Sequence, residues 1–367
     1  MRALRRGLPL WAALLAAYVA ALVVAGPEAT GAERHRLRLA ETLVERGELR
    51  AEPQALGFQL LIAPAQALGG ETAVRVWLAA LCALGFSLAA ALGRRLVPDP
   101  WAGRAALVCG LSPPAIGAAT AVAPEGVGAA ALAGAALLAL RVGEAPRLRT
   151  AVGSAVLAAA APWLAVKLVA PAAVVAVALL QRLRRAPGLA RLLALEAVIF
   201  SAVLYVTVSH RAFGVLTPEA VADGGLTGAH RVAEHVERWP RLLRALLDID
   251  AGLLVWAPFT ALVGVAGWLL WRSRRERLAA VSDVQAEVEA GAALLLALAA
   301  AVWLVAAFAA PAIEPGGRAW SHARQLIPAL PALAALCAWG LRRVPRVGAA
   351  LAAATLALSV AMVAAEA

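Results

Sequence analysis

Three cysteines are all that this chain of 367 residues contains, and Cys82, Cys109 and Cys337 stand singly inside apolar runs. That spacing excludes a disulfide framework and a paired-cysteine metal site, and leaves the thiols as small core hydrophobes. Also missing are a Walker loop, a glycine-rich dinucleotide fingerprint behind a strand, an HExxH pair and a CxxC pair. Nucleotide hydrolysis and zinc chemistry therefore have no sequence support. Lysine occurs once, at Lys167, and every other basic side chain apart from histidine is arginine. Internal repeats and low-complexity linkers are absent too, apart from a general richness in alanine.

What the chain has instead is apolar length. Its hydrophobic fraction is 62%, against roughly 45–50% in soluble domains, so the excess must face lipid. The net charge of +11 would raise nucleic acid as a partner if it lay along one helix face. It falls instead in short bursts between apolar stretches: Arg2/Arg5/Arg6, Arg94/Arg95/Arg104, Arg141/Arg147/Arg149, Arg182/Arg184/Arg185/Arg191, Arg272/Arg274/Arg275/Arg277 and Arg342/Arg343/Arg346. Positive charge near helix ends is retained on the cytoplasmic side, so membrane orientation explains the bursts and no nucleic-acid partner is expected.

The apolar stretches lie at about 8–26, 72–93, 102–120, 126–142, 150–163, 165–181, 191–209, 251–271, 289–310, 325–341 and 347–364, each measured against the roughly 20 residues of a spanning helix. The expected fold is all-α: a polytopic transmembrane bundle of about 11 spans, with residues 1–367 forming a single transmembrane domain. The N-terminus is then cytoplasmic and the C-terminus extracytoplasmic, in a multi-pass protein of the cell membrane. The first stretch has the basic tip and apolar body of a signal peptide, but Leu8 to Val24 is near spanning length and reads as a retained first helix. Pro162-Trp163 breaks the pair 150–163 and 165–181, each short for a span. Gly126, Gly128 and Gly134 fit close helix packing.

Three outer loops are long enough to carry function: 27–70, 210–250 and 310–324. The first opens with a charged helical stretch, Glu33 to Leu49, and continues into Gly57 to Pro64, too short to span and expected to lie in or dip into the interface. The second holds the amphipathic run Ala229 to Leu247, with Val232, Val236, Trp239, Leu242, Leu243 and Leu246 near helical spacing. The third contains Arg318, His322 and Arg324.

Carboxylates on that side, Glu33, Glu41, Glu45, Glu48, Glu125, Asp248 and Asp250, can serve as general bases or hold a divalent cation. Glu41, Glu45 and Glu48 fit the solvated face of a surface helix. Glu125 follows Pro124 at the mouth of an apolar helix, where either chemistry or the helix dipole accounts for an acid. Lys167, just past Pro162-Trp163, can meet a phosphate or reach for the interface. Arg318, His322 and Arg324 run against the charge bias, and the arginine fork suits phosphate oxygens. His210 and Arg211 repeat that theme more weakly. Glu196 is the one acid well inside a predicted apolar run, and fits an interfacial side chain.

In chain order the outer segments resemble the C-type superfamily of integral-membrane glycosyltransferases, in the branch that includes protein mannosyltransferases and aminoarabinose transferases. The resemblance runs from about residue 8 to 345. It rests on Gly31-Ala32-Glu33-Arg34 and Leu43-Val44-Glu45-Arg46-Gly47-Glu48-Leu49, then Gly57-Phe58-Gln59-Leu60-Leu61-Ile62-Ala63-Pro64. Leu111-Ser112-Pro113-Pro114, Ala123-Pro124-Glu125 and Ala161-Pro162-Trp163-Leu164 continue it. Leu247-Asp248-Ile249-Asp250-Ala251-Gly252-Leu253-Leu254 and Gly316-Gly317-Arg318-Ala319-Trp320-Ser321-His322-Ala323-Arg324 complete it.

The resemblance implies transfer of a sugar from a polyprenyl-phosphate donor, on the extracytoplasmic face, to a lipid, glycan or protein acceptor. It makes Glu33 the candidate base, aided by Glu125, and gives the donor phosphate to Lys167, Arg318, His322 and Arg324. A divalent cation is an open expectation, and no other cofactor is implied. The family's first-loop aspartate falls at Ala32 here. That departure keeps a noncatalytic membrane protein of the same fold, acting in envelope assembly, as an alternative. A transporter of lipid-linked substrate is the other.

Overall fold

In a computed structural model the chain forms an all-α bundle, described over residues 2–26, 29–48, 56–184, 187–213, 236–249, 252–276, 283–308 and 323–366. The helices are α1 (Arg2–Ala25), α2 (Gly31–Arg46), α3 (Leu56–Leu96), α4 (Trp101–Gly110), α5 (Pro113–Thr120), α6 (Pro124–Glu144), α7 (Leu148–Leu164) and α8 (Val169–Leu183). They continue as α9 (Gly188–Phe213), α10 (Trp239–Leu247), α11 (Leu253–Trp256), α12 (Leu262–Glu276), α13 (Asp283–Phe308), α14 (Leu330–Arg343) and α15 (Pro345–Glu366). Eight helices among the described residues are long and apolar enough to cross a membrane, counting α14 with the 3₁₀ turns at Ala323–Ala329. The protein is a multi-pass helical membrane protein.

The other expected spans are helical but shorter or interrupted, and proline explains two of them. Residues 102–120 divide into α4 and α5 because Ser112 is extended and Pro113-Pro114 open a new helix. Proline lacks the N–H that would continue α4 and disfavours a helical residue before it. Residues 251–271 divide likewise at Ala257-Pro258, into α11, a 3₁₀ turn at Pro258–Ala261 and α12. The third, 150–163, is the 17-residue α7. Its junction with α8 lies at Ala165, which is extended, while Pro162 stays within the helix.

The first outer loop supplies two helices, as its sequence suggests. α2 is polar, and α3 is two arms joined at a kink where Gly69 is extended and Gly70 has φ 62°, ψ −150°. That backbone is open to glycine alone, so the Gly-Gly pair sets the angle between the short arm from Leu56 and the spanning arm from Glu71. Residues 229–235 of the second loop lie outside the described set. α10 follows, with Leu242 buried and Trp239, Leu243 and Leu247 exposed.

Among the helices long enough to span, the spanning arm of α3, α6 and α14 are the most buried, and α1, α9 and α15 lie at the periphery. Alanine and glycine on every side let α6 be enclosed. A Cβ added at Gly85 of α3 would lie 3.3 Å from the α6 backbone at Ala130, and one at Gly126 would lie 3.3 Å from Cys82. The peripheral α9 exposes Ile199, Phe200 and Val203, the side chains a lipid-facing helix needs. α1 is held to its neighbours through two aromatic side chains: Trp11 Nε1 donates to Ala80 O at 2.9 Å, and Tyr18 Oη donates to Gly110 O at 2.7 Å. All three cysteines are buried and free, as expected of core residues.

The closest backbone approach with a testable consequence is at Gly340 of α14, where an added Cβ would lie 2.5 Å from Leu262 O and 2.9 Å from Leu262 Cβ. Gly340→Ala is expected to force α12 and α14 apart and cost about 1–3 kcal/mol. Gly267→Ala, with nothing within 4 Å, should be neutral or stabilising by up to about 1 kcal/mol. Thermal unfolding of both variants in detergent checks the contrast. Equal midpoints would mean that α12 and α14 do not pack this tightly.

Candidate functional site

The 21 residues of α6 rise about 1.5 Å each, which gives a length of about 30 Å, the thickness of a bilayer core. Its two ends therefore carry separate polar clusters. At the C-terminal end Glu144 pairs with Arg95, and Arg94 pairs with Asp99 at 2.8 Å. At the N-terminal end Glu125 gathers side chains from two other parts of the chain.

Lys167 stands in the 3₁₀ turn Val166–Leu168 between α7 and α8, and the extended Ala165 before it directs the amine inward. Lys167 Nζ donates to Glu125 Oε1 at 2.6 Å and to Gln325 Oε1 at 2.9 Å. From the 3₁₀ segment Ala323–Ala329, Arg324 Nε lies 3.2 Å from Glu125 Oε2, an ion pair not aligned as a hydrogen bond. Glu125 is only 4% exposed. In the first turn of α6 it also faces the positive end of that helix's dipole.

Glu33 occupies a different but connected position. Thr30 caps α2, its side chain accepting the Glu33 N–H at 3.3 Å while its own N–H donates to Glu33 Oε2 at 2.9 Å. This reciprocal box starts the helix. The other oxygen, Glu33 Oε1, accepts the backbone N–H of Val122 at 2.8 Å. Arg36, one turn further along α2, donates from Nη1 to Val122 O at 2.9 Å. Arg75 donates from Nη1 to Thr120 O at 2.5 Å, pairs with Glu71 at 2.7 Å and lies 3.8 Å from Glu33. The extended turn between α5 and α6 is thus held by α2 of the first outer loop and by the spanning arm of α3, with Val122 three residues before Glu125.

Of the residues expected to act, Glu125, Lys167 and Arg324 converge, and Glu33 joins them through Val122. Arg318 and His322 lie outside the described residues. His210 and Arg211, at the end of α9, are exposed and belong to no described part of this cluster. Sequence reasoning missed Arg36, Arg75 and Gln325. Arg75 had a usable signal, a charge near the start of a predicted apolar span; Arg36 had its spacing of three from Glu33 on a helix. With Arg36, Arg75, Lys167 and Arg324 against Glu33, Glu71 and Glu125, the cluster carries one excess positive charge.

An apolar cavity of about 430 Å³ is lined by Leu246, Leu253, Thr260, Leu296, Trp303 and Leu326 among others. Leu326 follows Gln325 directly, so the cavity adjoins the segment that carries Arg324. Charge next to an apolar volume suits an amphipathic anion.

The described residues do not fit a divalent cation. Ala32 brings no side-chain oxygen, Glu33 already accepts two backbone N–H groups, and Glu125 lies between two cations. Among the described residues no three His, Cys, Asp or Glu side chains converge.

No protein-family model matches the sequence, and no curated protein matches it. Among solved structures the chain is similar to ArnT from Cupriavidus metallidurans bound to undecaprenyl phosphate, with a TM-score of 0.56 and 17% identity over 92% of this chain and 61% of that one. The same protein in the apo state gives a TM-score of 0.52 and 16% identity over 93% and 61%. The chain thus spans about three fifths of the length of the ArnT structures it matches. The chain therefore shares its fold with these ArnT structures.

Proposed function

We propose that this protein is a membrane glycosyltransferase that takes a sugar from a polyprenyl-phosphate donor on the extracytoplasmic face of the cell membrane. The observation that carries the reading is the buried Glu125–Lys167–Arg324 cluster, whose Arg324 segment adjoins an apolar cavity. Orientation follows from the arginine bursts: the N-terminus and the Arg95–Glu144 end of α6 are inside, and the Glu125 end is outside.

In this reading the polyprenyl tail lies in the apolar cavity and the donor phosphate meets Lys167 and Arg324, with Arg318 and His322 of the third loop assigned to the same group. As the acceptor attacks the anomeric carbon, the sugar–phosphate bond breaks and negative charge grows on the departing phosphate. Fixed cations stabilise that charge more than the charge of the ground state, which lowers the barrier. Glu125 neutralises the cations in the free protein. A phosphate that takes over its partners leaves its carboxylate able to accept the acceptor's proton. Of the two carboxylates expected to act in chemistry, Glu125 is therefore the better placed base.

Incubation of purified protein with a panel of polyprenyl-phosphate sugars tests the proposal. Donor-dependent release of polyprenyl phosphate, or transfer to an acceptor, is expected for at least one sugar. If polyprenyl phosphate binds but no donor turns over, the noncatalytic reading motivated by Ala32 takes its place. Ala32→Asp then decides whether an enzyme has been weakened, because only an enzyme would gain turnover. The transporter reading has less support: Glu196 is exposed on the peripheral α9 and lines no described internal path.

A further inference from the structure

We propose that Glu33 is a positioning residue which, through the Val122 N–H, fixes the turn that carries Glu125 and so makes the helix of the first outer loop set the geometry of the donor-phosphate site. The inference rests on the reading of Glu125, Lys167 and Arg324 as that site.

Each oxygen of Glu33 already has a task. Oε2 closes the capping box that starts α2, and Oε1 holds Val122. The residue is buried, at 5% exposure, with Arg75 3.8 Å away. A carboxylate enclosed in this way is well arranged to hold two backbone groups and poorly arranged to reach a substrate proton.

Arg75 on Thr120 O and the Ala121 N–H on Gly117 O fix the start of the turn, and among the described residues only α2 hydrogen-bonds to Val122. Ala121 and Ala123 are extended, α5 ends at Thr120, and α6 opens on Pro124, which has no N–H to offer. Glu33 takes the N–H of the central residue while Arg36 takes its C=O. Two side chains one turn apart on α2 therefore grip Val122 on both sides. Glu125 is three residues further on, at the first turn of a stiff helix, so a shift at Val122 passes to its contacts with Lys167 and Arg324. Displacements near 1 Å at a reacting centre cost about a hundredfold in rate.

A base and a positioning residue differ in what glutamine can replace. Glu33→Gln keeps one acceptor oxygen, enough for either Val122 or the capping box but not both, while Glu33→Ala removes both acceptors. The expected result is that Glu33→Gln falls between wild type and Glu33→Ala, which loses about ten- to a hundredfold, with weaker affinity for polyprenyl phosphate. Arg36→Met should reproduce the alanine phenotype, and the double variant should be no worse than either single one, because both residues act through one peptide. Equal loss in the glutamine and alanine variants would overturn the proposal in favour of a base; wild-type turnover in Glu33→Ala would overturn it outright.

Amide hydrogen exchange over residues 121–126, measured without ligand, separates this proposal from the function it rests on. Exchange there should accelerate in Glu33→Ala, and less in Glu33→Gln, which keeps one of the two acceptors. A wild-type protein that neither binds polyprenyl phosphate nor turns over any donor would defeat the proposed function. Faster exchange in Glu33→Ala would still support the link from Glu33 to the Glu125 turn, and unchanged exchange would overturn it.

Discussion

Glu125→Gln is expected to destabilise the ligand-free protein by about 3–5 kcal/mol, the usual cost of removing one partner from a buried ion pair. Glu125 lies within 2.6 Å of Lys167 and 3.2 Å of Arg324. The amide can still accept a hydrogen bond but leaves two cations facing one another with no charge between them. Polyprenyl phosphate should then stabilise the variant more than it stabilises wild type, since its anionic head supplies the missing charge to the folded state alone. The alkylation rate of the three buried cysteines during heating reports the unfolding directly. Should Glu125→Gln match wild type without lipid, the cluster would be a solvated group of charges with no bearing on an anion site.

Arg324→Met is expected to lower kcat/KM for the donor by about 10²–10³, the range found when one preorganised donor to a developing charge is removed. Its effect should fall on turnover more than on binding of the intact donor, because charge accumulates on the phosphate only as the sugar–phosphate bond breaks. Arg324→Lys separates charge from shape. Lysine keeps the charge and loses the planar fork, so partial recovery points to electrostatic pairing and none points to bidentate geometry. Steady-state kinetics on the three proteins decide the matter; wild-type kcat/KM in Arg324→Met would remove Arg324 from the site.

Much of the bundle was legible because the apolar stretches and the arginine bursts are local properties of the sequence. The interruptions at Ser112-Pro113 and Ala257-Pro258 were legible in principle as well, but continuous hydropathy concealed them. For the site, composition was the better guide: the one lysine and an arginine out of place against the charge bias are both there. Geometry was not readable in the same way. Glu33 resembles a catalytic acid by its place in a motif, yet its second partner, Val122, lies 89 residues away, and no local pattern announces a backbone N–H. Arg75 was hidden because it was counted as part of a span.

The cluster at Glu125 also has an order of arrival. Lys167 follows Glu125 by 42 residues, whereas Gln325, beside Arg324, follows Lys167 by 158. During synthesis from the N-terminus, Glu125 and Lys167 can pair long before the segment at Ala323–Ala329 has left the ribosome. A nascent chain would therefore hold a neutral pair in the membrane and acquire the second cation only when the segment at Ala323–Ala329 follows. Anion capture on this account waits for that segment, and an insertion intermediate would present a pocket without net charge.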